Sequence, residues 1–134
     1  KAKRSSFALV PADINDAECA KVLLNPSGTI NAFITKRALT EEEKSGFGFG
    51  GEAIGFFILL QEDVLRFVDL YEKDEPTYRP VLWEIPFTEF ARSTSLHPWN
   101  VVEEGCFEID TQEDYAIALN RFQSHPDEYQ LPKL

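Results

Sequence analysis

The 134-residue sequence holds only two cysteines and two histidines, and none of its apolar runs approaches the ~20 residues of a membrane span. Cys19 and Cys106 are too few for a disulfide scaffold and form no CxxC pair, so buried reduced thiols are expected, with a disulfide as the alternative. No HExxH zinc signature and no Ser-centred elbow occurs, and His97 and His125 each precede a proline, which favours extended backbone and says little else. The usual hydrolase triads are thereby set aside. Basic residues are scarce as well: 13 Lys and Arg stand against 23 Asp and Glu. The resulting charge of −10 argues against a nucleic-acid surface, because phosphate binding needs a basic face. The N-terminal stretch contains no signal-peptide h-region, so a cytoplasmic location and no membrane partner are expected.

What is present is apolar enough to fold: 43% of the residues are hydrophobic and 13% aromatic. A chain of this size buries roughly two-thirds of its unfolded surface and needs no disulfide or metal to do so. With no repeat, low-complexity segment or long linker, residues 1–134 are expected to form a single domain. Charge is unevenly spread. Residues 1–40 carry six basic and three acidic side chains, whereas residues 41–134 carry seven and twenty. The chain begins at Lys1 rather than Met, which leads to the expectation that it was processed, trimmed or cut from something longer.

Strand and helix signals alternate. Two apolar runs, 20–24 and 29–34, flank Asn25-Pro26-Ser27-Gly28 and read as a β-hairpin. Ala38–Ser45 is acidic and helix-permissive, with Thr40 as N-cap. Residues 52–60 form a near-continuous apolar run, as in a central strand with both faces covered. Gln61–Lys73 has helical period, with Val64, Leu65, Val68 and Tyr71 on one face and Glu62–Arg66 and Asp69–Lys73 at ion-pair spacing. Tyr78–Ala91 reads as a second helix that Pro86 kinks or splits. Asn100–Glu103 and Cys106–Ile109 read as short strands. Thr111–Phe122 is a helix that Thr111 and Asp114 begin with a capping box, and Tyr115, Ala118, Leu119 and Phe122 form its apolar stripe. The fold class is therefore α/β, a mixed sheet flanked by helices.

Two local patterns bear on chemistry. Residues 46–51 spell G-x-G-x-x-G, but dinucleotide binding needs that loop to leave a strand and open a helix. Here it leads into a strand, so it is expected to be a flexible approach to that strand or a cover over a ligand. Phe107-Glu108-Ile109-Asp110-Thr111 places an aspartate where a strand ends and a capped helix begins. Ligand crevices of α/β sheets lie at such strand ends, and Mg²⁺ is held by one or two carboxylates plus substrate phosphates. The alternative is that Asp110 serves only the dipole of the following helix.

In order, AKVLLNPSGTINAFITK, GEAIGFFIL, a helix and FEIDTQEDYAIALNRF resemble the second half of the CTP-dependent nucleotidyltransferases that act on small phosphorylated alcohols. These are the phosphocholine, 2-aminoethylphosphonate and inositol-phosphate cytidylyltransferases, and the likeness covers roughly residues 7–123. The resemblance implies a Mg²⁺ ligand at Asp110, a phosphate-meeting lysine at Lys36 and an acceptor pocket bordered by Gly51 and Glu52. Glu108 would sit beside the metal or an acceptor amine, and Trp83 or Trp99 could face a quaternary amine by cation–π attraction. In such a reaction an acceptor phosphate attacks the α-phosphorus of a nucleoside triphosphate and pyrophosphate leaves, so alignment and charge neutralisation suffice. The family's Gly-rich basic loop and its further metal-binding aspartate have no counterpart in residues 1–35. Two expectations follow: the acceptor-side portion of a partial nucleotidyltransferase fold, inactive alone, or a non-catalytic binding module that covers its sheet edge by forming a homodimer.

Overall fold

A computed structural model describes residues 3–102, 109 and 111–125. The chain divides into two compact units, Lys1–Asn100 and Val101–Leu134.

The first unit is built on a five-stranded mixed sheet: β1 (Ser6–Val10), β2 (Lys21–Leu24), β3 (Ile30–Ile34), β4 (Gly48–Ile58) and β5 (His97–Asn100), in the order β3-β2-β4-β1-β5. Only β1 and β5 run parallel; the other pairings are antiparallel. The β2–β3 hairpin closes where it was expected, with Gly28 at φ +82° donating to Asn25 O and Asn25 N–H donating to Thr29 O. Helix α1 (Glu41–Gly46) starts from a capping box in which Thr40 and Glu43 satisfy each other's backbone N–H groups. Central β4 carries the expected apolar run and also absorbs the glycines from Gly48 onward. The expected strands do not include β1, a short apolar run that takes its place beside β4 only through non-local pairing.

Three expectations change. Coverage on both faces of β4 ends at Gly55. Phe7 pairs with Phe57 and Leu9 with Ala53, so residues 54–56 of β4 oppose Ala8 alone, and this two-residue bulge leaves Phe56 71% exposed. Helix α2 (Gln61–Lys73) has the expected bounds but turns a different face inward: Val64, Leu65 and Val68 are exposed, while Phe67, Leu70 and Asp63 point in. Arg66 accordingly pairs with Asp63 at 3.1 Å rather than with Glu62. The Tyr78–Ala91 segment splits into α3 (Glu75–Tyr78) and α4 (Glu84–Ser93). Pro86 causes no kink, because it sits in the first turn of α4, where its missing N–H has no intrahelical acceptor to lose.

The core joins this sheet to α2 and α4 through aromatic rings. Phe7 stacks on Trp83 at 5.1 Å and meets Phe33 at 4.8 Å, and Phe67 stacks on Phe87 at 4.5 Å. Trp83 is thus largely committed to packing. Helix α4 also closes the β3 edge: Thr88 Oγ1 accepts from Phe33 N–H and donates to Phe33 O, and Ile30 N–H donates to Leu96 O. Edge groups that would otherwise face solvent are thereby paired.

In the second unit, α5 (Gln112–Ser124) begins at Thr111 with the expected capping box to Asp114. Of its expected stripe Ala118 is buried, whereas Tyr115, Leu119 and Phe122 are exposed. The expected strand at Cys106–Ile109 and most of that at Asn100–Glu103 lie outside the described residues; Asn100 itself ends β5.

Candidate functional site

The two halves of the sheet meet at the middle of β4: β2 lies against residues 48–52 and β1 against residues 52–58. At that level β1 and β3 end and β2 begins. The register draws a row across four strands, Ile34–Lys21–Glu52–Val10. Residues directly opposite in antiparallel pairs share a face, so Lys21 and Glu52 are cross-strand neighbours. Lys36 follows two residues beyond Ile34, at φ +54° in the left-handed region, and is exposed. Among the described residues it makes no ion pair. Gly51 precedes Glu52 at φ +109°, and a Cβ there would lie 2.3 Å from Val10 O. That position admits only glycine, for backbone reasons that hold whether or not a ligand lies alongside.

Lys21 is 0% exposed. Its Nζ donates to the carbonyls of Asp16 and Cys19 and lies 3.8 Å from Cys19 Sγ. Three donor directions on a buried ammonium thus find partners in the loop that leads into β2. Burial raises the pKa of the Cys19 thiol above its ordinary value; Lys21 opposes that shift, and Glu52 and Asp16 add to it. Cys19 is a free, buried thiol, as expected, and Cys106 lies outside the described residues.

Next to Lys36, Arg37 grips Glu43 through two hydrogen bonds of 2.8 and 2.7 Å. This pairing first, and then the Thr40 N–H, hold the Glu43 carboxyl at a pKa of about 2. Arg37 is therefore spent on α1. Lys36 has no ion pair among the described residues. Its chain neighbours Thr35 and Arg37, with Thr88, Glu89 and Arg92, line an open hollow of about 320 Å³ whose wall does not include Lys36 itself.

Gly51 and Glu52 lie in the middle of β4, and Lys36 lies past the end of β3, with β2 between them. Glu108 and Asp110 lie outside the described residues. Among the described residues no three His, Cys, Asp or Glu side chains come together to hold a metal ion. Trp99 lies on outer strand β5, partly exposed, beside a hollow that Lys3 and Arg4 also line. Also among the described residues, no helix is long and apolar enough to cross a membrane.

Two buried acids carry no local signal in the sequence. Asp63 is fixed by Ser5 and Arg66. Glu84, in the first turn of α4, is 6% exposed, and its Oε2 has no hydrogen-bond partner among the described residues. Their burial depends on β1 and α4 packing against α2, contacts that no sequence spacing announces. No family model matches this chain, and neither a curated protein nor a solved structure matches it.

Proposed function

We infer that this chain is the acceptor-side portion of a Mg²⁺-dependent nucleotidyltransferase that carries a nucleotidyl group to a small phosphorylated alcohol. The observation that supports this most is the placement of Lys36, exposed and without an ion pair among the described residues, two residues beyond Ile34, which stands in the same row across the strands as Glu52. The order of motifs in the sequence supplies the rest. An exposed ammonium with no ion pair among the described residues suits a dianionic phosphate, and the carboxylate of Glu52 suits a hydroxyl or amine on the acceptor.

In the proposed reaction an oxygen of the acceptor phosphate attacks the α-phosphorus of the triphosphate. The new O–P bond forms as the bond to pyrophosphate breaks. Lys36 offsets negative charge on the acceptor phosphate, which the approach of two anions requires. Mg²⁺ enters this proposal through Asp110, and its chemistry would be to neutralise phosphate charge there. No step is routed through it here.

The test is calorimetric titration of the full chain with phosphocholine, 2-aminoethylphosphonate and inositol phosphate, with and without Mg²⁺. Saturable binding of at least one, lost in Lys36→Ala and weakened in Glu52→Gln, is expected. Binding of none, or binding indifferent to Lys36, defeats the proposal. Pyrophosphate release from CTP and phosphocholine by this chain alone is expected to be nil, since these residues contain no triphosphate-cradling loop.

The binding-module alternative now has a narrower form. Thr88 and Leu96 occupy the β3 edge, so pairing between two copies would use β5. Sedimentation that gives a monomer at all accessible concentrations rejects it.

A further inference from the structure

A second hollow, of about 450 Å³, opens on the helix-covered side of β4, further along that strand than Glu52. Its wall is aromatic: Phe57, Phe67, Tyr71, Tyr78, Trp83 and Phe87 all line it. The rings support one another. Phe57 lies 4.9 Å from Phe87, which stacks on Phe67, and Tyr71 and Tyr78 pair at 5.7 Å. Gly55, at φ +76°, also borders the hollow, and a Cβ there would meet open space. Gly55 therefore adds no side chain to the β4 side of the opening, which Phe57 alone lines from that strand.

One lining residue is ionised, Arg79. Its contact with Glu75 is 3.6 Å long and joins two exposed side chains, so the guanidinium remains available to another anion. No carboxylate lines the hollow, and a cation entering it would meet Arg79 with no counter-charge in the wall. The volume falls in the range of roughly 300–1,000 Å³ typical of small-molecule pockets. Ring faces and edges in several orientations suit a flat π-system, and a planar guanidinium suits a carboxylate.

We propose that this hollow binds a small flat aromatic carboxylate, its ring among Phe57, Phe67 and Trp83 and its carboxylate on Arg79. The site is separate from Lys36 and Glu52 and stands or falls independently of the transferase proposal.

Calorimetry on the full chain with three probes tests it: 1-naphthoate, 1-naphthalenemethanol and a naphthylmethyl-trimethylammonium salt. Naphthoate is expected to bind most tightly and the ammonium least. Arg79→Gln, a change at an exposed position, is expected to weaken naphthoate about tenfold and to leave the alcohol unchanged. Val81→Trp, which fills the hollow from a partly exposed lining position, is expected to abolish binding of both. Circular dichroism on each variant checks that the fold is kept. Absence of naphthoate binding, equal affinity in Arg79→Gln, or preference for the ammonium overturns the proposal.

Discussion

The Ser5 hydroxyl stands between the first residue of one helix cap and the carboxylate of Asp63, 58 positions away in the chain. It accepts from Leu60 N–H at 2.9 Å and donates to Asp63 Oδ2 at 2.5 Å. Leu60 is the N-cap of α2 and Asp63 its third residue. A leucine has no capping side chain, so Ser5, just before β1, links the Leu60 N–H to the Asp63 carboxylate, which supplies one half of the arrangement that Thr40 and Thr111 make locally for α1 and α5.

Ser5→Ala is therefore expected to cost about 2 kcal/mol, because it strands a buried N–H and removes a donor from a buried carboxylate. Arg66→Ala, which removes the mostly exposed partner of the same carboxylate, is expected to cost less than about 1 kcal/mol. Urea denaturation of both variants checks the ranking. Equal losses would mean that the relay carries no special weight.

Glu43 sets an acid limit for α1. Its pKa is lowered from 4.5 to about 2, chiefly by Arg37, so its contribution is complete above the ordinary carboxylate value. That contribution fades as pH falls from about 4.5 towards 2. Since Arg37 is partly exposed, the amplitude is expected to be about 1 kcal/mol or less. The protection of amides in residues 41–46, taken relative to their intrinsic exchange rate at each pH from 6 to 3, is expected to fall in the wild type. In Arg37→Ala it should already be low at pH 6.

Two of the positive-φ glycines, Gly28 and Gly51, are expected to respond differently to alanine. At Gly28 there is open space, so only the left-handed backbone is penalised, by about 1 kcal/mol. At Gly51 the new methyl meets Val10 O as well, and β1 must move away from β4. Thermal melts should show a modest shift for Gly28→Ala and loss of cooperative folding, or a far larger shift, for Gly51→Ala.

Cys19 is expected to alkylate slowly. Burial raises its thiol pKa, which lowers the thiolate fraction at pH 8, and the chain shields the sulfur. Lys21 pulls the pKa the other way, so Lys21→Met should slow the reaction further if the fold is kept. Peptide-resolved mass spectrometry of iodoacetamide labelling, with and without denaturant, reads this directly. Labelling of native Cys19 at the denatured rate contradicts the described packing.

Local signals carried much of the fold into the sequence. The turn at Gly28, the Thr40 N-cap and the capping box of Thr111 depend on residues at most four apart, and each stands as expected. The face of α2 does not. Its helix offers two apolar strips, and the choice between them is made by Phe87 and Phe90 of α4, whose rings accept Phe67. Pro86 misleads for a related reason: a proline excludes a helix interior, but only tertiary packing shows that the helix begins at Glu84. At the candidate site, Lys36, Gly51 and Glu52 were legible as an ordered set, and the register puts Glu52 in one row with Ile34, two residues before Lys36. The aromatic hollow was not, because its wall draws on β4, α2, α4 and the segment before α4, joined by no shared spacing.

Thr88 has a consequence for how this sheet can change. By occupying the N–H and C=O of Phe33, it makes a helix side chain act as a sixth strand of one residue. An incoming peptide cannot extend the sheet on that flank unless α4 first withdraws, and withdrawal would pull Phe87 and Phe90 out of the ring cluster. Accretion on that flank is thus coupled to melting of the hydrophobic interior, and the molecule resists it for as long as it stays folded.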